Sequence, residues 1–292
     1  EDICVVPTFV EEARMILGSG AGRFAEAALL DGVVRRLGTF CRLRVQAGPV
    51  GSVQGTTEEK WGYTCPAAYD WRGDGKIALV CGDVTEYLWL VDKKGRRSVL
   101  RTPQNRPVRV SWRVRPAVFE LDGETFIVSI DIQDRLTVFR KVGDRQIEPY
   151  ALVRGANGEP LGFSRHGGSK GRLKLEAVCL LDRGVPDLLV GTCTNVTVAG
   201  LACPRASVLL LGGSGSIERW SVDSVWSLGS EGVFHPSRPG NHQPQYFGHH
   251  SCAPACIPRD WDGRSPKRGE GIIVGAEDGQ LYAFMRAFGS ME

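Results

Sequence analysis

Two stretches of this chain repeat one plan fifty residues apart, and that repetition limits the fold more than any other feature. "PAAYDWRGDGKIALVCGDVTEYLWLV" starts at Pro66 and "PAVFELDGETFIVSIDIQDRLTVF" at Pro116. Each reads as an apolar strand, a Gly/Asp turn, a β-rich strand ending in a small or acidic residue, a tight turn and an aromatic-rich strand. A third copy, "LEAVCLLDRGVPDLLVGTCTN" from Leu175, keeps the first two strands and resumes at "ASVLLLGG" from Ala206. The residues inserted between those two pieces are expected to form a loop. A fourth copy is "RDWDGRSPKRGEGIIVGAEDGQLYAF" from Arg259.

The strands mix Val, Ile, Leu, Phe, Tyr and Trp with imperfect alternation, so both faces must be covered. Small antiparallel sheets arranged radially, each packed on its neighbours, produce that pattern. The 37 glycines and 16 prolines are scattered along the chain, which suits many short elements. The expected fold is all-β, a β-propeller of four-stranded antiparallel blades, read as one domain over 1–292. Within it, 1–57 is a poorly defined first blade, and 58–110, 111–163, 164–245 and 246–292 are successive repeat segments. That makes about five blades, with a fragment of a seven-bladed ring as the alternative. A helical signal competes with a strand reading over 23–38.

Composition narrows the function. The 292 residues are 42% hydrophobic and 24% charged, a globular balance. No apolar run reaches the ~18 residues of a membrane span. The start, Glu1-Asp2-Ile3-Cys4, lacks both a Met and a basic-then-apolar leader, and so reads as processed or truncated. Net charge is +3, too weak for a nucleic-acid expectation, although Lys93 to Arg115 holds nine positive residues and no acidic one. The nine cysteines form no C-x-x-C pair, which removes the usual zinc-finger and thioredoxin patterns. Cys193 and Cys203 bracket the inserted segment, where a disulfide would close it. Asn195-Val196-Thr197 is a glycosylation sequon on a secretory route.

"DWRGDGKIALVCGD", "DRGVPDLLVGT" and "DWDG…GIIVGAEDGQLYAF" resemble the FG-GAP or VCBS repeats of extracellular propellers, whose consensus is D-x-D-G-D-G-x-x-D-L followed by V-G. The resemblance runs from about residue 60 to the last residue and implies a secreted, extracellular or periplasmic protein. Adhesion receptors, lectin-like proteins and polysaccharide lyases carry such repeats, so the resemblance speaks for fold more than for function. Family members coordinate Ca²⁺ with Asp at alternate loop positions. Here Arg72 and Ala78 replace ligands in the first copy, and Lys267 and Arg268 interrupt the fourth. No cofactor is expected beyond calcium at one degenerate loop, that of Asp260 and Asp262.

In a propeller the segments preceding each innermost strand meet at one mouth of the central channel. They read "EEKWGYTCP", "RVSWRVRP", "SRHGGSKGRLKLE" and "QYFGHHSCAP". Ligand-binding candidates are Trp61, Trp112, His166, Lys170 and Arg172. An extended backbone at "WRVRP" would send Arg113 and Arg115 to one side, where two guanidiniums suit a carboxylate or sulfate. The competing role for that pair is to neutralise Glu58, Glu59 or Glu176.

The expected function is binding of a glycan or acidic polysaccharide at a cationic, aromatic mouth. The alternative is a polysaccharide lyase that cleaves a uronate polymer by β-elimination, with Arg113 or Arg115 neutralising the carboxylate and Tyr63, His249 or His250 as base and acid. A protein-interaction scaffold is a third class. The expected partner is thus a glycan, with neither nucleic acid nor a membrane span, and the oligomeric state is not fixed by the sequence.

Overall fold

The computed structural model describes residues 6–11, 14–18, 24–30, 33–38, 65–83, 85–165, 172–193, 195–198, 200–238, 244–248, 251–269, 271–276 and 279–288. It is a five-bladed β-propeller. Blade 1 is an antiparallel sheet of Val6–Phe9, Arg14–Gly18, Phe24–Leu30 and Val33–Gly38, so the stretch with competing helical and strand signals is strand. Blade 2 comprises Cys65–Tyr69, Ala78–Gly82, Leu88–Val91 and Arg97–Val99, and blade 3 comprises Ala117–Leu121, Glu124–Ile130, Leu136–Gly143 and Gln146–Leu152. Blade 4 is built on Lys174–Val178, Asp187–Gly191, Val208–Ser214 and Ser221–Leu228, with Phe234–Pro236 and Arg154–Gly155 added outside. Blade 5 shows three strands among the described residues, Cys252–Ile257, Gly271–Ala276 and Leu281–Phe284.

The ring closes on itself. The innermost strand of blade 1 packs on those of blades 2 and 5, and the remaining innermost strands pack in chain order. The alternative of a seven-bladed fragment with open edges is therefore not met, because blade 5 meets blade 1 directly. Five strands around one axis leave little room, which accounts for the small residues of "CPAAY" and "CAPACI". The second strands are sandwiched on both faces, and Asp187–Gly191 and Gly271–Ala276 are buried at every position.

A separate apolar core fills each interface between blades. Phe9, Met15 and Ala27 meet Ala255 and Ile273 between blades 1 and 5. Ile16 and Phe24 meet Leu79 and Val91 between blades 1 and 2. Tyr69 and Val80 meet Ile127 and Phe139, and Phe119 meets Leu175 and Leu188. Leu189 and Leu210 meet Cys256 and Ile272. No single blade buries both of its faces alone, so stability belongs to the closed ring.

The segment inserted in blade 4 is not a simple loop. Val196–Val198 and Leu201–Cys203 form a hairpin that pairs with Ser164–Arg165. The disulfide expected across it is absent. All seven described cysteines are free, Cys203 lies opposite Val196 in the hairpin, and the Cys193 thiol hydrogen-bonds Ser251 at 2.9 Å. Burial pushes the Cys203 thiol up to about 12 and raises those of Cys65 and Cys256 as well.

Blades 4 and 5 touch most closely at Gly191, where a Cβ would strike the Cys252 carbonyl and the ring of Pro254. Gly191→Ala is expected to cost about 1–3 kcal/mol of stability in urea unfolding. An unchanged midpoint would contradict this close approach.

Candidate functional site

The two ends of the axis are built differently. At one end the loop before the second strand of blade 5 folds across the opening. The Gly263 carbonyl accepts the Asp70 amide of blade 2 at 2.9 Å, and the Arg264 carbonyl accepts the Glu120 amide of blade 3 at 2.8 Å. The Lys267 carbonyl accepts the Cys179 amide of blade 4 at 2.9 Å, while the Arg264 guanidinium pairs with Glu120. The Asp-rich fourth loop is thus a plug that ties three blades together.

Its aspartates serve the turn itself. The Asp262 carboxylate accepts the amides of Arg264 and Ser265 at 2.8 and 2.7 Å, and Asp260 is exposed with φ 48°. In the first copy the Asp70 carboxylate accepts the amides of Asp74 and Gly75. In the third, Asp187 accepts those of Leu180, Leu181 and Gly213. Among the described residues no group of three or more His, Cys, Asp or Glu side chains is placed to hold a metal ion.

Above the plug lies a buried ionic cluster. Glu176 accepts the Lys267 ammonium at 2.7 Å on one oxygen and the Cys256 amide at 2.5 Å on the other. Arg115, 1% exposed, donates Nε to the Leu175 carbonyl at 2.7 Å and Nη1 to the Pro7 carbonyl at 2.8 Å, and its Nη2 faces Glu176 at 3.7 Å. Burial lowers the Arg115 pKa, and the Glu176 charge opposes the shift. These groups surround a cavity of about 10 Å³, roughly the space of one water. Arg115 is therefore held inside the axis, with Glu176 as its partner.

At the other end lie the described parts of the segments that enter blades 3 and 4. Arg113 has φ 57°, so the chain turns at "SWRVRP" instead of staying extended, and Arg113 and Arg115 part company. Left-handed backbone at a bulky residue is held only by its surroundings. Here the Arg113 amide donates to the Asp83 carbonyl at 2.8 Å, and the Arg113 carbonyl accepts both the Lys174 ammonium and the Cys65 thiol. Lys174 also reaches the Cys65 sulfur at 3.0 Å.

That turn gathers three of the sequence candidates. The Arg113 and Arg172 guanidinium carbons lie 4.1 and 4.0 Å from the indole of half-buried Trp112. Both positions are favourable cation–π contacts, with Arg113 buried and Arg172 half-buried. Trp61, Tyr63, His166, Lys170, His249 and His250 lie outside the described residues. Cys65, Lys174 and Ser251, all in or beside segments that precede innermost strands, were not picked out from the sequence, and Cys193 was read only as a disulfide partner. Their position next to each innermost strand was the available signal.

The class defined by these features is a five-bladed β-propeller with one plugged end. A scan against protein-family models finds no match, and neither does a search of curated proteins. Among solved structures, AofleA from Arthrobotrys oligospora is similar at 10% identity and a TM-score of 0.44, covering 98% of this chain and 87% of that one. A triple arginine-to-alanine mutant of AofleA gives 11% identity and a TM-score of 0.46 over the same shares. A Thermus thermophilus protein described as a putative oxidoreductase (glucose dehydrogenase) gives 13% and 0.35, covering 84% of this chain and 94% of that one.

Thiol alkylation reads the burial pattern directly. Among the described cysteines, half-buried Cys179 is expected to label in the native protein, whereas Cys65, Cys203 and Cys256 label only on unfolding, because burial disfavours their thiolates. Native labelling of Cys65 at a rate like that of Cys179 would contradict the closed axial packing.

Proposed function

We propose that the protein is a binding propeller of the FG-GAP type that recognises an acidic glycan at the open end of its axis. The observation that carries this reading is the placement of the Arg113 and Arg172 guanidiniums, from the segments entering blades 3 and 4, on Trp112. Guanidiniums match carboxylate and sulfate geometry in two-point contacts, and an aromatic face covers the C–H surface of a sugar ring. Since Arg115 is consumed by Glu176, the anion would be met at half-buried Arg172 and Trp112, with buried Arg113 and Lys174 adding positive field behind them. An extracellular or periplasmic location belongs to the same proposal, because such polymers lie outside the cell.

Calorimetric titration with a uronate oligosaccharide and its neutral counterpart tests the reading. The acidic ligand binds and the neutral one binds weakly or not at all. Arg172→Ala and Trp112→Ala each weaken binding about tenfold or more, as expected for losing a charge-assisted contact worth about 1.5–3 kcal/mol. Equal binding of both ligands, or no effect of either substitution, would overturn the proposal. Formation of an unsaturated uronate product during the titration would instead favour the lyase alternative.

A further inference from the structure

The plugged end of the propeller carries a feature that the mouth does not use. Three turns meet there at the seam of blades 2 and 3: the first turn of blade 2 around Trp71 to Lys76, its outer turn at Asp92 to Arg96, and the outer turn of blade 3 at Asp144-Arg145. Between them lie two adjoining hollows of about 260 and 240 Å³ that share Arg72, Leu90, Asp92 and Arg96.

The walls are locked together. The Trp71 indole N–H donates to the Asp144 carbonyl at 2.6 Å, Lys141 donates to the Trp71 carbonyl at 2.5 Å, and the Lys141 ammonium sits 4.9 Å from the Trp71 ring centroid. The groove is therefore set by inter-blade contacts rather than by free loops.

Its charge is uneven. Six cations line it, Arg72, Lys76, Lys93, Lys94, Arg96 and Arg145, against the three carboxylates Asp74, Asp92 and Asp144. Two of the carboxylates are committed to their own turns: Asp92 accepts the Lys94 and Arg96 amides and the Arg96 guanidinium, and Asp74 accepts the Lys76 amide and ammonium. Asp144 meets only the exposed Arg72, at 3.5 Å. Among the described residues Lys93, Lys94 and Arg145 have no carboxylate within ion-pair reach, and Arg145 makes just a 3.4 Å contact to the Ser98 hydroxyl.

The floor is aliphatic, formed by half-buried Leu90, Ile77 and Ala78. Trp71 is 1% exposed and offers no ring face to solvent. A single-stranded nucleic acid bound by base stacking would need such a face. A sugar ring needs only an apolar patch for its C–H face, with cations around it for its charged substituents.

We propose that this groove is a second ligand site, separate from the mouth and on the opposite end of the propeller, which takes a sulfated oligosaccharide. The sulfates are held by Lys93, Lys94 and Arg145, and the sugar face rests on Leu90 and Ile77. The basic run that begins at Lys93 thereby acquires a role independent of the axial site.

Titration with a heparin-type sulfated hexasaccharide, followed by calorimetry and repeated with an unsulfated uronate hexasaccharide and a short single-stranded oligonucleotide, tests this. The K93S/K94S/R145S variant, with K94E as a milder second variant, is expected to lose sulfated-ligand affinity about tenfold or more while leaving uronate binding at the mouth unchanged. Trp112→Ala is expected to do the reverse. Failure of the groove and failure of the mouth are thus distinguishable. Sulfated-ligand binding that is unchanged in both groove variants, or an oligonucleotide that competes equally well, would overturn the proposal.

Discussion

One carboxylate holds the centre of this molecule. Glu176, on the innermost strand of blade 4, takes Lys267 and the Cys256 amide from blade 5 and faces Arg115 from the segment entering blade 3. Arg115 and Lys267 in turn reach the carbonyls of Pro7 and Phe9 on blade 1. Blade 2 joins the same strand of blade 1 when its Ala68 amide donates to the Thr8 hydroxyl at 3.0 Å. A buried ion pair is weak evidence for net stability, because desolvation offsets most of the attraction, but removing one member leaves an uncompensated charge. The cluster therefore acts mainly as a register device, since losing the segment entering blade 3, or blade 4 or 5, would leave at least one of these charges unmatched.

That device also decides where function can lie. With Arg115, Glu176 and Lys267 filling the axis and the 259–268 loop across one end, no ligand can pass through the propeller. What remains for a ligand is the Trp112 end and the seams on the plugged end. Positive charge is displayed at both, but in different settings. At the Trp112 end it lies on an aromatic ring beside the buried Lys174, and at the seam of blades 2 and 3 it rims an aliphatic groove.

Much of the architecture was legible in the sequence because each blade must repeat the same burial problem. The copies from Pro66 and Pro116 show it plainly, since strand-like runs covered on both faces cannot stand alone. Blade 1 has no recognisable turn consensus and was visible only as spare length, although its strand Phe24–Leu30 is apolar at every position but Glu26. The convergence of Trp112, Arg113 and Arg172 was legible from topology, but the separation of Arg113 from Arg115 was not. It depends on a left-handed residue that tertiary hydrogen bonds enforce against local preference. The plug was equally hidden, because the fourth loop looks like a damaged cation loop until Lys267 is seen to turn inward onto Glu176. Sequence spacing gives turns, whereas the partner of a buried charge comes from another blade.

The central claim is that the Arg115–Glu176–Lys267 cluster sets the register of blades 3, 4 and 5 against blade 1, and chemical denaturation of Glu176→Gln beside the apolar triple variant R115M/E176L/K267M tests it most directly. Glu176→Gln, which strands two buried cations, is expected to lose about 3–5 kcal/mol, while the triple variant recovers most of that loss. A Glu176→Gln protein as stable as the parent would contradict the account.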